Sequence, residues 1–302
     1  MIYNKLYLIK LYTILFKLNC ENWKMIHDRK IARIKRERSF KNNPESKLFF
    51  NEYSQDMFER IELINNTFEK GLALGFRNKD LKKSKNISHL KLAELGISQN
   101  IDFVCDEEFL PIKKSSLDII ISFFNLHSSN DIPGILFQIN QSLKPNGLFM
   151  GCLFVGDTLK ELRFCLAKAE EEITKGISPR ISPFADLQDL SNLLQRANFN
   201  LPVADIDRHK VTYDNPIKLM NDLREMGETN ILKEKQKTFF RKDILERSME
   251  IYKENFSLEN QKIFATFEIA WLIGWKYHDS QQKPLQPGSG QKNLAEAVDE
   301  LD

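Results

Sequence analysis

The chain is poor in cysteine, histidine and glycine: four, five and 12 respectively among 302 residues. Cys20, Cys105, Cys152 and Cys165 are scattered, with no pair at the spacing of a zinc site or a redox motif. That excludes a disulfide framework and a thiolate metal centre. Cys105 and Cys152 sit in apolar runs and read as buried thiols in a reducing compartment. The histidines are equally dispersed, so no metal is expected. No charge sign dominates: 44 Lys and Arg face 42 Asp and Glu, for a net charge of +2. A general nucleic-acid footprint is therefore missing. Long apolar runs are missing too. Residues 1–24 are broken by Lys5, Lys10 and Lys17, which argues against stable membrane insertion. There are no internal repeats.

What is present describes a globular protein, 42% apolar and 28% charged, with room for one large domain or a domain and an appendage. Residues 1–24 read as an extension upstream of a true start at Met25, an amphipathic presequence being the alternative. Residues 25–69 form a basic helical region. Within it Arg29, Lys30, Arg33, Lys35, Arg36 and Arg38 mark a basic amphipathic helix, read either as a solvated face or as a lid or docking element for an acidic partner. A second helix is expected over 45–69, from Leu48, Phe49, Tyr53, Met57, Ile61 and Ile64 at helical spacing. Residues 70–155 form the core, with strands over 71–75, 88–93, 102–105, 117–123 and 148–154. A helix over 132–143 has Pro133 in its first turn and Pro145 beyond its end. Short strands alternating with helices predict an α/β fold with a doubly wound, mostly parallel sheet. Residues 156–280 are expected to be a helical region completing the sheet, with helices over 157–175 and 187–197 and a helix-rich stretch over 214–277. Residues 281–302 read as an exposed tail.

In this sheet type ligands sit at the carboxyl ends of the strands. The order of the runs from Asp106 to Pro111, Leu117 to Ser122, Leu126-His127 and Leu143 to Gly147 describes half of an S-adenosylmethionine-type domain. The loop that should cradle the cofactor is Ala73-Leu74-Gly75-Phe76-Arg77-Asn78, in which only Gly75 supplies backbone freedom. Ala73 stands where an acid is usual and Arg77 where a second glycine belongs. Glu94 is placed to take two ribose hydroxyls, or else is a solvated surface group. Asp106 is placed for an adenine amino group, with Glu107 beside it; the alternative is an acidic helix cap. His127 follows the fourth strand and is the candidate base, a structural hydrogen-bonding histidine being the other reading. Asn125, Ser122 and Asp131 share its loop.

Several longer runs carry a resemblance: Asp106 to Pro111, Leu126-His127 with Asn130 to Gly134, Gly156 to Arg163, Ser178 to Phe184, and Gly274 to Pro284. Together they resemble the methyltransferase-like family of the mitochondrial complex I assembly factor and its alphaproteobacterial relatives, over roughly residues 25–297. The resemblance implies a class I methyltransferase fold. For the mitochondrial members it implies hydroxylation of an arginine in a quinone-site subunit of complex I. Bacterial relatives are grouped beside the malonyl-carrier-protein methyltransferase of biotin synthesis, a less favoured reading here.

The chain departs from the family at Ala73 and at Ser128, where an aromatic residue often follows Leu-His. S-adenosylmethionine binding is therefore expected to be weak or absent, and Arg77 to block or fill the pocket. Three functions follow: a methyltransferase in complex I assembly, an arginine hydroxylase of a complex I subunit, or a non-catalytic assembly protein that holds its client. Asp157, Arg163 and Arg180 are the expected client-facing residues, an internal salt bridge of Arg163 or Arg180 being the alternative. The partner is a protein client, with no nucleic acid. The start at Met25 and the tail from His278 look closer to bacterial members, and the Ile, Asn, Lys and Phe usage suits an AT-rich genome. The expected location is bacterial cytoplasm, with the mitochondrial matrix as the alternative.

Overall fold

The computed structural model describes residues 25–40, 48–77, 84–98, 101–236, 240–282 and 289. The extension over 1–24 and nearly all of the tail lie outside the described residues. Seven strands form one sheet in the order β3-β2-β1-β4-β5-β7-β6. They are β1 (Phe68–Leu74), β2 (Ile87–Glu94), β3 (Phe103–Val104), β4 (Leu117–Phe123), β5 (Leu143–Phe154), β6 (Phe199–Tyr213) and β7 (Ile263–Lys276). The first five pair in parallel, while β7 runs antiparallel to both β5 and β6. The order turns back at β1 and β4, so the crevice of this α/β class opens at their carboxyl ends.

The central strands form because they are short β-branched or apolar runs that can be buried on both faces. In β4 alternate residues part cleanly. Ile119, Ile121 and Phe123 join one core with Phe50, Met57 and Ile61 of α2 (Leu48–Glu62). Ile120 joins the other core with Ile135, Leu136 and Ile139 of α3 (Ile132–Ser142). Helix α4 (Lys160–Thr174) places Leu162, Cys165 and Ala169 in the first core, and α5 (Leu187–Arg196) places Leu190 and Leu194 in the second. Cys105, Cys152 and Cys165 are buried free thiols, and burial pushes that of Cys105 up to about 12.

Two sequence expectations are corrected. The helix expected over 45–69 ends at Glu62, and Phe68 already belongs to β1, where it is buried. The stretch 214–277 contains α6 (Pro216–Met226) and α7 (Lys242–Phe256), but its last part is strand. Phe264, Phe267, Trp271 and Trp275 all lie on β7. The region completing the sheet is therefore as much antiparallel ribbon as helix, since β6 and β7 pair from Phe199↔Lys276 to Tyr213↔Ile263.

Residues 95–102 alone join β2 to β3. A parallel crossover that carries its own helix needs about a dozen residues or more. The N-terminal helix α1 (Arg29–Ser39) lies against this connection instead. Asp28 caps it by accepting from the amides of Lys30 and Ile31. The Ile97 amide donates to Glu37 Oε1 at 3.2 Å, and a Cβ on Gly96 would meet Glu37 Cγ at 2.8 Å. Ala32 of α1, Leu95 and Ile231 form a small apolar cluster that seals this contact. The start of α1 is tied down by a bridge between His27 and Leu232 and by the Asp28 amide donating to the Ile231 carbonyl at 2.8 Å.

Candidate functional site

At the carboxyl end of β1 the chain turns at Gly75, whose φ is +83°. A side chain there would run into the Phe123 carbonyl oxygen and stand 3.0 Å from Asn125 Cβ. The expected need for glycine is real, and its cause is the close approach of β1 to β4. Asn125 is buried and accepts from Ser122 Oγ, which leaves its Nδ2 without a partner.

Glu94 ends β2 and is removed from solvent, so the surface reading of this residue is corrected. Its Oε1 accepts from Arg36 Nη1 at 2.8 Å and from the Leu95 amide at 2.9 Å. Its Oε2 is buried and has no partner. Beyond β3, Glu107 is also buried and meets Arg29 Nη2 at 2.8 Å and Arg36 Nη1 at 3.6 Å. Burial opposes its charge, but Arg29 and Arg36 hold the carboxyl below its ordinary range. Asp106 Oδ1 accepts from Arg29 Nη2 at 2.7 Å. Arg29 Nη1 donates to the Ser128 carbonyl at 3.1 Å, and Arg36 Nη2 to Ser128 Oγ at 2.6 Å. Glu94, Asp106 and Glu107 are thus brought together, but their partners are two arginines of α1. The solvated-face reading of that helix fails at Arg36, which is 2% exposed.

Arg77 is buried and turned across the crevice. It donates to the carbonyls of Met226 at 2.8 Å and Phe124 at 2.7 Å, pairs with Glu228 Oε1, and lies 5.0 Å over the Phe50 ring. Glu228 follows the left-handed Gly227 that ends α6, and its amide donates back to the Leu223 carbonyl at 2.8 Å. This turn aims the Glu228 carboxylate at His127, whose Nε2 lies 2.9 Å from Oε2. Burial opposes the charge of Glu228, yet Arg77 and then His127 hold its pKa far below the usual carboxylate range. The second ring nitrogen of His127 is buried without a partner. Glu228 was missed in the sequence. Its only local signal is the helix stop Met226-Gly227, and its partners lie 101 and 151 positions away.

His127 and Glu228 border a cavity of about 310 Å³ between the strand ends and the later helices. Its walls are mainly apolar, with Phe154, Leu162, Phe184, Leu223 and Phe267 among them, and Arg36, Arg180 and Arg224 supply cations. Glu228 is the one carboxylate among the described lining residues. Of the expected client-facing residues only Arg180 lines this cavity. It is also internally paired, donating to Glu170 Oε1 at 2.7 Å and Oε2 at 3.2 Å and lying 4.3 Å over the Phe240 ring. Arg163 donates to the Ser182 carbonyl at 3.2 Å, outside the lining. Asp157 is exposed at the surface and pairs with Lys160 at 2.9 Å. Among the described residues no group of three His, Cys, Asp or Glu could hold a metal, and no helix is long and apolar enough to cross a membrane.

The same groups test the cofactor this sheet class implies. In the conformation described, they do not fit it. The carboxylates at the ends of β2 and β3 are engaged by Arg36 and Arg29, and the buried Arg77, two residues past Gly75, is held on the Phe124 carbonyl.

The strand order, the parallel core with its antiparallel edge and the crevice at β1 and β4 define a class I methyltransferase-type α/β protein. A methyltransferase-domain family model matches residues 80–151. The YcgJ protein of Bacillus subtilis shares the fold, with a TM-score of 0.51 at 12% identity over 75% of this chain and 99% of that one. The arginine-hydroxylase NDUFAF5, mitochondrial, of Danio rerio is 43% identical over 193 residues, 64% of this chain and 60% of that protein. The "Putative methyltransferase RP459" of Rickettsia prowazekii is 31% identical over 60% of this chain and 82% of that protein. The chain belongs to the methyltransferase-like family that holds these two relatives. It spans about three fifths of the length of the mitochondrial relatives it matches.

Proposed function

We propose that this chain serves respiratory complex I assembly by receiving an arginine-bearing segment of a protein client in the cavity beside His127 and Glu228. One observation carries the reading. Of the two places where this fold holds ligands, the nucleoside cradle is filled by the chain's own arginines, while the cavity is open. Its apolar walls suit the methylene stem of an arginine, and Glu228, the one carboxylate of the described lining, would accept a guanidinium on the lone pairs that Arg77 and His127 leave. The likeness to proteins named arginine-hydroxylase supports the choice of side chain. In this reading His127 is the base, oriented by Glu228 through Nε2, and the client must reach its buried, unpartnered Nδ1. Arg180 guards the cavity wall, and Asp157 and Arg163 lie on the outer approach. A bacterial cytoplasmic setting fits the sequence; the mitochondrial names of the relatives favour the matrix as its alternative.

A second reading keeps S-adenosylmethionine-dependent methyl transfer, supported by the matching methyltransferase domain and by Gly75. The test is genetic. Cells lacking the chain should lose assembled complex I and keep the other respiratory complexes. The native chain should restore it, and a folded Glu228→Gln variant should not. Normal complex I in the deletion strain sinks the assembly reading. Full rescue by Glu228→Gln sinks the assigned pocket.

A further inference from the structure

The nucleoside cradle does not lack its acceptors; it has them and spends them on α1. Arg36 makes a fork, Nη1 on Glu94 and Nη2 on the Ser128 hydroxyl. Arg29 makes another, bridging Asp106, Glu107 and the Ser128 carbonyl. A planar guanidinium presents N–H donors at the spacing of paired oxygen acceptors, so two arginines can stand in for vicinal hydroxyls and an exocyclic amine.

The substitution is incomplete. Glu94 Oε2 and Asn125 Nδ2 remain buried without partners. Such orphaned atoms are costly where nothing else reaches them. A plug that belonged there permanently would be expected to satisfy them. The attachment of α1 also differs at its two ends. Its start is stitched to residues 231–233 by backbone hydrogen bonds. Its body reaches the sheet largely through ion pairs and the small cluster of Ala32, Leu95 and Ile231, and its far half rests on the end of α6, where Lys35 Nζ donates to the Asn230 carbonyl at 2.6 Å and Ser39 packs on Gly227.

We propose that α1 is a removable intramolecular plug: Arg29 and Arg36 occupy the acceptors of an adenosine-type nucleoside site, and a nucleoside enters only as α1 withdraws. Helix α1 also walls the client cavity through Ala32 and Arg36, but the plug is read by nucleoside binding alone and stands whether or not an arginine peptide binds in that cavity.

The test is calorimetric titration of the full chain with S-adenosylmethionine, combined with amide hydrogen exchange of residues 29–39. The native chain should bind on the order of 1 mM or weaker, and saturating ligand should strip protection from the α1 amides. Arg29→Lys together with Arg36→Lys keeps the charges that Glu94 and Glu107 need but loses the forks. That variant should stay folded and bind at least tenfold more tightly. The corresponding double alanine variant should gain more, provided circular dichroism shows it folded. Two results overturn the proposal. One is ligand binding to the native chain with α1 protection unchanged. The other is a folded lysine variant that gains no affinity.

Discussion

Arg36 and Glu94, 58 positions apart, meet at 2.8 Å with both side chains withdrawn from water. Two opposite charges buried together contribute little net stability, but removing one strands the other. Arg36→Ala should therefore cost about 3–5 kcal/mol. Arg33→Ala on the same helix breaks only the solvent-facing pair with Glu37 and should cost about 1 kcal/mol or less. Urea unfolding of the two variants checks the contrast, and equal midpoints would show that α1 is not seated as described.

Acid should loosen the start of α1. His27 is buried, and neither ring nitrogen makes a well-formed hydrogen bond. Burial is the main cause that lowers its pKa to about 4; the Ser129 backbone pulls the other way, nearby His127 and Arg29 add to the lowering, and Glu228 opposes it least. The unfolded chain takes up this proton near pH 6.5 and the folded chain near pH 4. Stability from this group is thus complete above pH 6.5 and declines as pH falls toward 4, by about 3 kcal/mol in all. His27→Gln should flatten that part of the stability profile. An unchanged slope would rule His27 out as its source.

Gly75→Ala should lower stability by at least about 2 kcal/mol, because an L side chain is disfavoured in the left-handed region and this one faces the Phe123 carbonyl. Gly176→Ala is the control, since nothing stands within 4 Å of the added methyl. Thermal melts of the pair decide whether the β1 turn is as tight as the coordinates show.

Arg180 and Asp157, both expected from the sequence to face the client, should behave differently. Arg180→Ala exposes the need of Glu170, a buried carboxylate that also accepts from Ser178, and should lower the melting temperature by several degrees. Asp157→Ala loses one exposed contact to Lys160 and should leave melting nearly unchanged. If Asp157→Ala still impairs complex I assembly, the outer approach belongs to the client surface.

The parallel half of the fold was legible because its strands are apolar runs ended by turn residues. The antiparallel half was not. In β7, Phe264, Phe267 and Trp271 fall three and four positions apart and mimic a helix. The true cause of the apolar run is burial on both faces between β5 and β6. In β6 polar residues alternate along an edge strand, which reads as loop. The acids Glu94, Asp106 and Glu107 were legible because each stands at or just past the end of a strand. Their occupants were not, since Arg29 and Arg36 come from a helix whose basic pattern is that of a surface. Glu228 was invisible because His127 and Arg77 reach it only through the tertiary fold.

The seating of α1 also sets an order in time. It precedes every other described element in the sequence, so it leaves the ribosome first. Its partners follow late: Glu94, then Glu107 and Ser128, and last Ile231 and Leu232. Until more than two thirds of the chain has been made, the segment that stitches down the start of α1 is missing, so the helix has only the acids at the ends of β2 and β3 and Ser128 to hold it. Every newly made molecule thus passes through an interval in which the cradle is complete and its cover only half anchored.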